Sequence, residues 1–134
     1  MRKPLILTCI LLIIAAVFYF AYQKNLEPII ILIYPNGGET IKKGSIETIK
    51  WKTKGIPEDY KIALSIRRIT DDQIEGQEFD PIIFTDLPNT GNAEWPVSDS
   101  YPDGDYILGI NVYASTPIIN PIYDESDSVF RITE

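Results

Sequence analysis

The stretch YPNGGET, residues 34–40, decides the fold of this chain, because it places a sharp reversal between two apolar segments. Asn-Gly and Gly-Gly pairs accept the positive backbone φ that a tight turn needs, and Pro35 fixes the direction of the chain before it. We therefore predict that Gly37 and Gly38 are structural turn residues. The stretch specifies a scaffold and carries no catalytic chemistry.

A second turn at Gly44 leads into residues 46–53, where apolar and polar side chains alternate. Ile49 and Trp51 share one face of this segment and the residues between them share the other, which is the period of a half-buried strand. Trp51, and by the same alternation Trp95, are predicted to pack in the core.

From residue 29 onward there is no helical periodicity, and about seven strand-like runs are separated by turn residues. The predicted strands are 29–34, 46–53, 60–69, 81–86, 92–97, 105–114 and 128–133, with a short piece at 39–42. The run IIILI at residues 29–33 is unbroken apolar, which favours a strand buried on both faces. Tyr106 follows an Asp-Gly-Asp turn, a corner where tyrosine often bonds back to the backbone, so it is predicted to be structural.

The fold class that follows is all-β, an immunoglobulin- or fibronectin-III-like sandwich of about seven strands preceded by one N-terminal transmembrane helix. We divide the chain into a signal anchor at 1–22, a linker at 23–28 and an extracytoplasmic domain at 29–134.

Five segments, in order, resemble the fungal cell-wall synthesis N-terminal domain family (Kre/Knh type), which is Ser/Thr-rich and GPI-anchored-like and also occurs as β-sandwich modules on bacterial and archaeal surface proteins. The similar segments are PNGGE at 35–39 with the strand at 49–51, KIALSI at 61–66, NTGNAEWPV at 89–97, DYILGI at 105–110 and SDSVFRI at 126–132. The loops at 70–80 and 115–125 are long for this family. The resemblance implies an accessory or assembly role at the cell wall, without a defined active site.

The composition excludes several classes of function. The 134 residues include one cysteine, Cys9, and no histidine, so an intramolecular disulfide is excluded and the commonest general base and metal ligand are missing. We therefore predict a non-catalytic protein without a cofactor. The net charge of −7 argues against a nucleic-acid partner, which needs a basic stripe.

The charge is unevenly spread along the chain. Residues 24–68 carry nine Lys and Arg against five Asp and Glu, whereas residues 69–134 carry one against fourteen. A solvated acidic surface that keeps the domain soluble accounts for this, and a cation-binding or head-to-tail contact is the alternative.

Residues 5–22 are almost entirely apolar and follow Arg2 and Lys3. As a helix this run is about 27 Å long, enough to cross the hydrocarbon core, and the basic pair keeps the N-terminus cytoplasmic. A cleaved signal peptide is the alternative, but a small-x-small cleavage site is missing at the exit, where aromatic residues crowd Ala21. A lipoprotein anchor at Cys9 is disfavoured because Thr8 precedes it. The linker at 23–28 reaches about 20 Å, which holds the domain close to the bilayer.

Three tyrosines, Tyr101, Tyr113 and Tyr123, fall near strand ends or on the outward phase of a strand, which makes them candidate platforms for sugar rings. The alternative is ordinary scattered surface tyrosines.

Weak calcium candidates occur in one turn-rich loop, and solvated turn acids are the alternative to them. These candidates are Asp99, Asp103 and Asp105.

The loop STPIINPIY at 115–123 carries three isoleucines between and after two prolines. Exposed, they would form an apolar patch for a partner or the bilayer; the alternative is that they fold onto the edge of the sandwich. The residues predicted for this contact are Pro117, Ile118, Ile119, Pro121 and Ile122.

Together these features predict a membrane-anchored, non-catalytic binding or assembly module of the cell envelope. Its expected partners are the membrane, through residues 5–22, and wall polysaccharide or a surface protein. The alternative is a structural subunit that self-associates or joins a membrane complex through its anchor and the 115–124 loop.

Overall fold

The computed structural model describes residues 10–19, 28–70, 81–114 and 122–134. Residues 10–19 form one short helix with exposed side chains. In these described ranges, no helix has both the length and the apolar character needed to cross a bilayer. The predicted anchor also includes residues 1–9 and 20–22, which lie outside the description, so it stays a prediction.

The described residues form nine strands, and eight of them agree with the predicted runs to within two residues. Their bounds are β1 Ile29–Tyr34, β2 Thr40–Lys42, β3 Ile46–Lys54, β4 Lys61–Ile69, β5 Ile82–Pro88, β6 Asn92–Pro96, β7 Gly104–Tyr113, β8 Ile122–Glu125 and β9 Phe130–Thr133.

The strands form two sheets. The small sheet has the order β1-β3-β6, and the large sheet has the order β2-β9-β7-β4-β5, with β8 paired to β7 as well. Neighbouring strands are antiparallel except that β2 runs parallel to β9, with Thr40 opposite Arg131. The prediction of an all-β domain is confirmed for the described part of the chain.

Both sheets contribute to a single hydrophobic core, as their alternating burial predicts. Ile49 and Trp95 come from the small sheet, and Leu108, Phe130 and Ile132 come from the large one; all are at most 2% exposed. Burying a side chain of this size contributes about 1.5–3 kcal/mol, so the core is the main stabilising feature of the two-sheet arrangement.

The YPNGGET turn carries the chain from the small sheet to the large one. The Glu39 carboxylate accepts the backbone N–H groups of Asn36 at 2.9 Å and Gly37 at 2.7 Å. The N–H of Gly38 then donates to the carbonyl of Val129 at 2.8 Å. Gly37 has a φ of 130°, and a Cβ there would lie 2.6 Å from the Cβ of Ser128, so only glycine fits.

The prediction that β1 is buried on both faces is wrong. Ile30 and Leu32 are 5% and 1% exposed, but Ile29, Ile31 and Ile33 are 44%, 46% and 42% exposed. The reason is that β1 belongs to a three-stranded sheet of which the large sheet covers one face only. An unbroken apolar run therefore has an inner and an outer stripe here.

One edge of β1 pairs with β3, and a side chain caps the other. The N–H of Leu32 donates to Oδ2 of Asp124, at 2.7 Å, across 92 residues of sequence. A carboxylate at this position occupies a backbone donor that another strand would otherwise pair with.

The prediction of a loop over 115–124 also needs correction, because Ile122–Glu125 form β8, antiparallel to β7. Ile122 is partly buried and packs against the core, which agrees with the alternative that isoleucine folds onto the sandwich. The other predicted contact residues, Pro117, Ile118, Ile119 and Pro121, lie outside the described residues.

Candidate functional site

The outer face of the large sheet carries two of the three tyrosines that the sequence singles out. From Tyr106 to Val112 the even-numbered side chains of β7 fill the core, so Asn111 and Tyr113 point outward. Asn111 lies opposite Tyr123 of β8, and Tyr123 is 65% exposed. Tyr113, Asn111 and Tyr123 therefore share one surface, which we call the tyrosine face.

Tyr113 is held across the strand next to its own. Its hydroxyl donates to Oδ1 of Asp86 at 2.8 Å and accepts the backbone N–H of Asp86 at 2.6 Å. Asp86 belongs to β5, and β4 lies between β5 and β7, so the phenol ring crosses over β4 and lies along the sheet. The ring is thereby restrained at its hydroxyl end, and Tyr113 is half-buried.

Asp86 reaches this position through a bulge. The register of β5 against β4 shifts between the pairs Ile62–Leu87 and Leu64–Phe84, and Asp86 has a φ of 57°. Burial and then the hydrogen bond to Asp86 raise the pKa of the Tyr113 hydroxyl above its ordinary value.

Tyr101 does not join the tyrosine face. Its ring packs edge-on against Trp95 and Tyr106, with centroid distances of 6.2 Å and 5.9 Å. Trp95 and Tyr106 both contact Phe130 in turn, so the four rings form one aromatic cluster at the edge of the core. Edge-to-face contacts of this kind stabilise the fold by roughly 0.5–1.5 kcal/mol each.

The residues predicted to be structural lie in the core or in the connecting turns. Trp51 is buried and its Nε1 donates to Oδ1 of Asn89 at 3.1 Å, and Trp95 is 2% exposed. The hydroxyl of Tyr106 donates to the carbonyl of Pro102 at 2.7 Å, four residues upstream. The Trp51 indole and the Tyr106 phenol thus have their polar atoms bonded within the fold, as buried aromatic groups usually do.

Two of the three acids named as weak calcium candidates have cationic partners inside the protein. Asp103 pairs with the ammonium of Lys43, whose hydrogen bond and charge hold the pKa of that carboxyl below its usual value. Oδ1 of Asp105 lies 3.3 Å from Nη1 of Arg131, and Asp99 lies beside Gly44. Among the residues that the structure describes, no group of three or more His, Cys, Asp or Glu could hold a metal ion.

The outer face of the small sheet carries a second surface, which the sequence analysis missed. Antiparallel pairing sets Ile29 opposite Lys54 and Ile31 opposite Lys52, and the exposed Ile33 and Lys50 continue the two rows. We call these six residues the isoleucine–lysine face. The signal for it was present: lysine recurs at every second position of β3, at 50, 52 and 54, on the phase opposite Trp51.

Charge and shape distinguish the isoleucine–lysine face from the rest of the surface. In the described ranges its three lysines make no ion pair, in contrast to Lys43. A shallow depression of about 360 Å³ opens on it, lined by Ile33, Thr48, Lys50, Lys52 and Asn92 among others. The surface therefore combines aliphatic area with lysine ammonium groups that form no ion pair in the described ranges.

No protein-family model, curated protein or solved structure matches this chain.

Proposed function

We propose that this chain is a membrane-anchored, non-catalytic module of the cell envelope that contacts wall polysaccharide through its tyrosine face. The observation that carries the proposal is the arrangement of Tyr113 and Tyr123 around Asn111 on one outer surface. The two rings lie on diagonal positions of neighbouring strands, a separation of about 7–8 Å between their backbones.

Sugar recognition needs flat apolar faces with hydrogen-bonding groups beside them. A ring held along a sheet offers its free face to the C–H face of a pyranose without losing side-chain freedom on binding. Asp86 supplies that restraint for Tyr113, while Tyr123 is free to adjust. The Asn111 amide, which has both donors and an acceptor, lies between them to meet sugar hydroxyls.

The anchoring part of the proposal rests on the sequence. Residues 5–22 are long enough as a helix to cross the hydrocarbon core, and the described helix at 10–19 with its exposed apolar side chains is consistent with that. The basic pair at the N-terminus places the domain outside the cytoplasm. The resemblance to cell-wall synthesis domains favours the same location.

For the domain itself we propose an immunoglobulin- or fibronectin-III-like sandwich. The bond from Tyr106 to a carbonyl four residues upstream supports it, because this is the geometry of a tyrosine corner.

The test uses the full chain in nanodiscs, sedimented with three insoluble wall polymers: β-glucan, chitin and peptidoglycan. We expect saturable binding to at least one polymer, weakened about tenfold by Tyr123→Ala and retained in Tyr123→Phe, which keeps the ring. Empty nanodiscs provide the background. The exposure of Tyr123 makes both variants neutral for folding.

Absence of binding to all three polymers would contradict the wall-binding role. Nanodisc particles that carry two copies of the chain would then favour the alternative, self-association through the anchor and the 115–124 loop. Equal binding by the Ala and Phe variants would leave a wall-binding protein whose contact lies elsewhere than the tyrosine face.

A further inference from the structure

We infer that the isoleucine–lysine face lies against the headgroup region of an anionic lipid bilayer. The inference rests on the proposed membrane anchoring and deepens it, since it names the surface on which the anchored domain sits. It leaves the opposite surface, the tyrosine face, turned away from the membrane.

The arrangement of the side chains is the first argument. Each of two isoleucines lies directly opposite a lysine, Ile29 with Lys54 and Ile31 with Lys52. A lysine can lay its aliphatic stem along a neighbouring apolar side chain while its ammonium group reaches a phosphate. Aliphatic side chains entering the headgroup boundary, beside basic groups that meet lipid phosphates, are the composition of an interfacial membrane surface.

Charge is the second argument. The chain has a net charge of −7, yet Lys50, Lys52 and Lys54 lie together and have no ion-pair partner among the described residues. Two acids lie beside this row: Glu94, which is opposite Thr48, and Glu47, which lines a depression with Thr48 and Lys50 and accepts a hydrogen bond from Tyr34. An anionic surface therefore attracts this face and repels most of the remaining molecule, which orients the domain.

The same charge disfavours a second copy as the occupant. A symmetric dimer through this face would set the lysine row of one copy against the same patch of the other. Repulsion between like charges across such a contact costs stability that the exposed isoleucines would have to offset. An anionic lipid surface has no such conflict.

Position along the chain is the third argument. The face begins at Ile29, seven residues beyond the end of the apolar run at residue 22. A linker of that length reaches about 20–25 Å at most, so β1 lies close to the point where the anchor would leave the bilayer. The face is thus the part of the domain that such an anchor brings nearest to the lipid.

The expected strength follows from the three lysines. Each basic residue near an anionic membrane changes the docking equilibrium about fivefold, so the three together change it roughly a hundredfold at low ionic strength. The effect decreases with salt as the Debye length falls from about 30 Å at 0.01 M to about 3 Å at 1 M.

The experiment places a fluorescent label on each face of the full chain in lipid vesicles. Cys9 is the one cysteine of the sequence, so Cys9→Ser provides a cysteine-free background. In that background, Ile31→Cys and Asn111→Cys are labelled separately with a nitrobenzoxadiazole dye. The vesicles contain phosphatidylcholine with or without phosphatidylglycerol, and a lipid that carries a spin-label quencher near the headgroup.

We expect strong quenching of the label at position 31 in phosphatidylglycerol vesicles, weak quenching in pure phosphatidylcholine, and none at position 111 in either. The variant K50Q/K52Q/K54Q should lose the quenching at position 31 about as completely as high salt does. The matched control K61Q/R67Q/R131Q removes the same number of positive charges from the opposite face. The label at position 31 should still be quenched in this variant.

The outcomes separate this inference from the anchoring that it rests on. If the chain resists alkaline extraction but the label at position 31 stays in water, the anchor stands and the docking is wrong. If the chain is extracted, the anchor is wrong. Equal quenching with and without phosphatidylglycerol overturns the requirement for anionic lipid, and cross-linking of Ile31→Cys between two chains overturns lipid as the occupant.

Discussion

On the outer face of the large sheet, Nη1 of Arg131 lies 3.3 Å from Oδ1 of Asp105, and a longer pair of 3.7 Å joins Arg67 and Glu125. On the outer face of the small sheet, the three lysines meet no carboxylate within the described ranges. Exposed pairs contribute little to stability, but they neutralise the surface that carries them. A face whose charges are paired can select a partner by shape and hydrogen bonding. A face whose positive charges are not paired favours a negatively charged partner.

The largest expected effect is a loss of stability of the whole domain, which carries both faces. Gly37→Ala puts a Cβ 2.6 Å from that of Ser128 at a φ of 130°, in the turn that links the two sheets. We expect a loss of about 3 kcal/mol in the free energy of unfolding. Urea unfolding, followed by the fluorescence of the buried Trp51 and Trp95, measures it.

Gly38→Ala is the matched control, because nothing lies within 4 Å of a Cβ at Gly38 although its φ is also positive. It should lose only the cost of the backbone conformation, about 1 kcal/mol. Equal losses in the two variants would contradict the close packing of the turn against Ser128.

A smaller effect concerns the tyrosine face alone. Tyr113→Phe keeps the ring but removes both hydrogen bonds to Asp86, so we expect a decrease of about 4 °C in the thermal midpoint. Polymer binding should weaken because the ring is no longer held along the sheet. The quenching at position 31 should not change, and a change there would mean that the two faces are not independent.

The next effect concerns the end of β1 beside the isoleucine–lysine face and appears only at high pH. Burial, and then the hydrogen bond to Glu47, raise the pKa of Tyr34 to about 12. A raised pKa means that the folded state holds the proton more tightly than the unfolded state does. Its contribution to stability is therefore complete below about pH 10 and is lost as the pH rises towards 12.

The measurement is the urea midpoint between pH 9 and pH 12 for the original chain and for Tyr34→Phe. The decline in the original chain should be the steeper of the two. Parallel curves would mean that Tyr34 has the same pKa in the folded and unfolded states. The hydrogen bond to Glu47 would then have no effect on the titration of Tyr34.

The smallest effect is expected at Asp103, which belongs to neither face. Lys43 lowers the pKa of this carboxyl, so the pair adds stability above about pH 4 that is lost as the pH falls through the lowered value. Because Asp103 is about half exposed and solvent screens the pair, Asp103→Asn should lower the thermal midpoint at neutral pH by no more than about 2 °C. A larger decrease would show that the pair does more than neutralise the rim between the faces.

Most of the strands could be predicted from alternation, and the exceptions have physical reasons. The strand β8 has four residues and follows two prolines, so its pattern is too short to stand out; it exists because β7 offers an edge to pair with. The run IIILI specified a strand correctly, but an apolar run carries no information about which of its faces another layer covers.

The candidate surfaces were predictable to different degrees. The outward phase of Tyr113 and Tyr123 is visible in the sequence, yet the contact of Tyr113 with Asp86 spans 27 residues and an intervening strand, and no local pattern encodes it. Tyr101 was misplaced because its position in a turn does not show that its ring packs inward. The lysine row was visible at alternate positions of β3, but its exposed isoleucine neighbours were expected to be buried.

The hydrogen bond that caps β1 can form only after the C-terminal part of the chain has been synthesised. Leu32 and Asp124 are 92 residues apart, and β2 likewise pairs with a strand that ends at Thr133. Ribosomes add about 5–20 residues per second, so roughly 5–20 s pass between the synthesis of the two partners. Throughout that interval the isoleucine-rich strand has an open edge, the state in which strands add to foreign chains. Protection of the nascent chain over that interval is thus as much a requirement of this fold as its core.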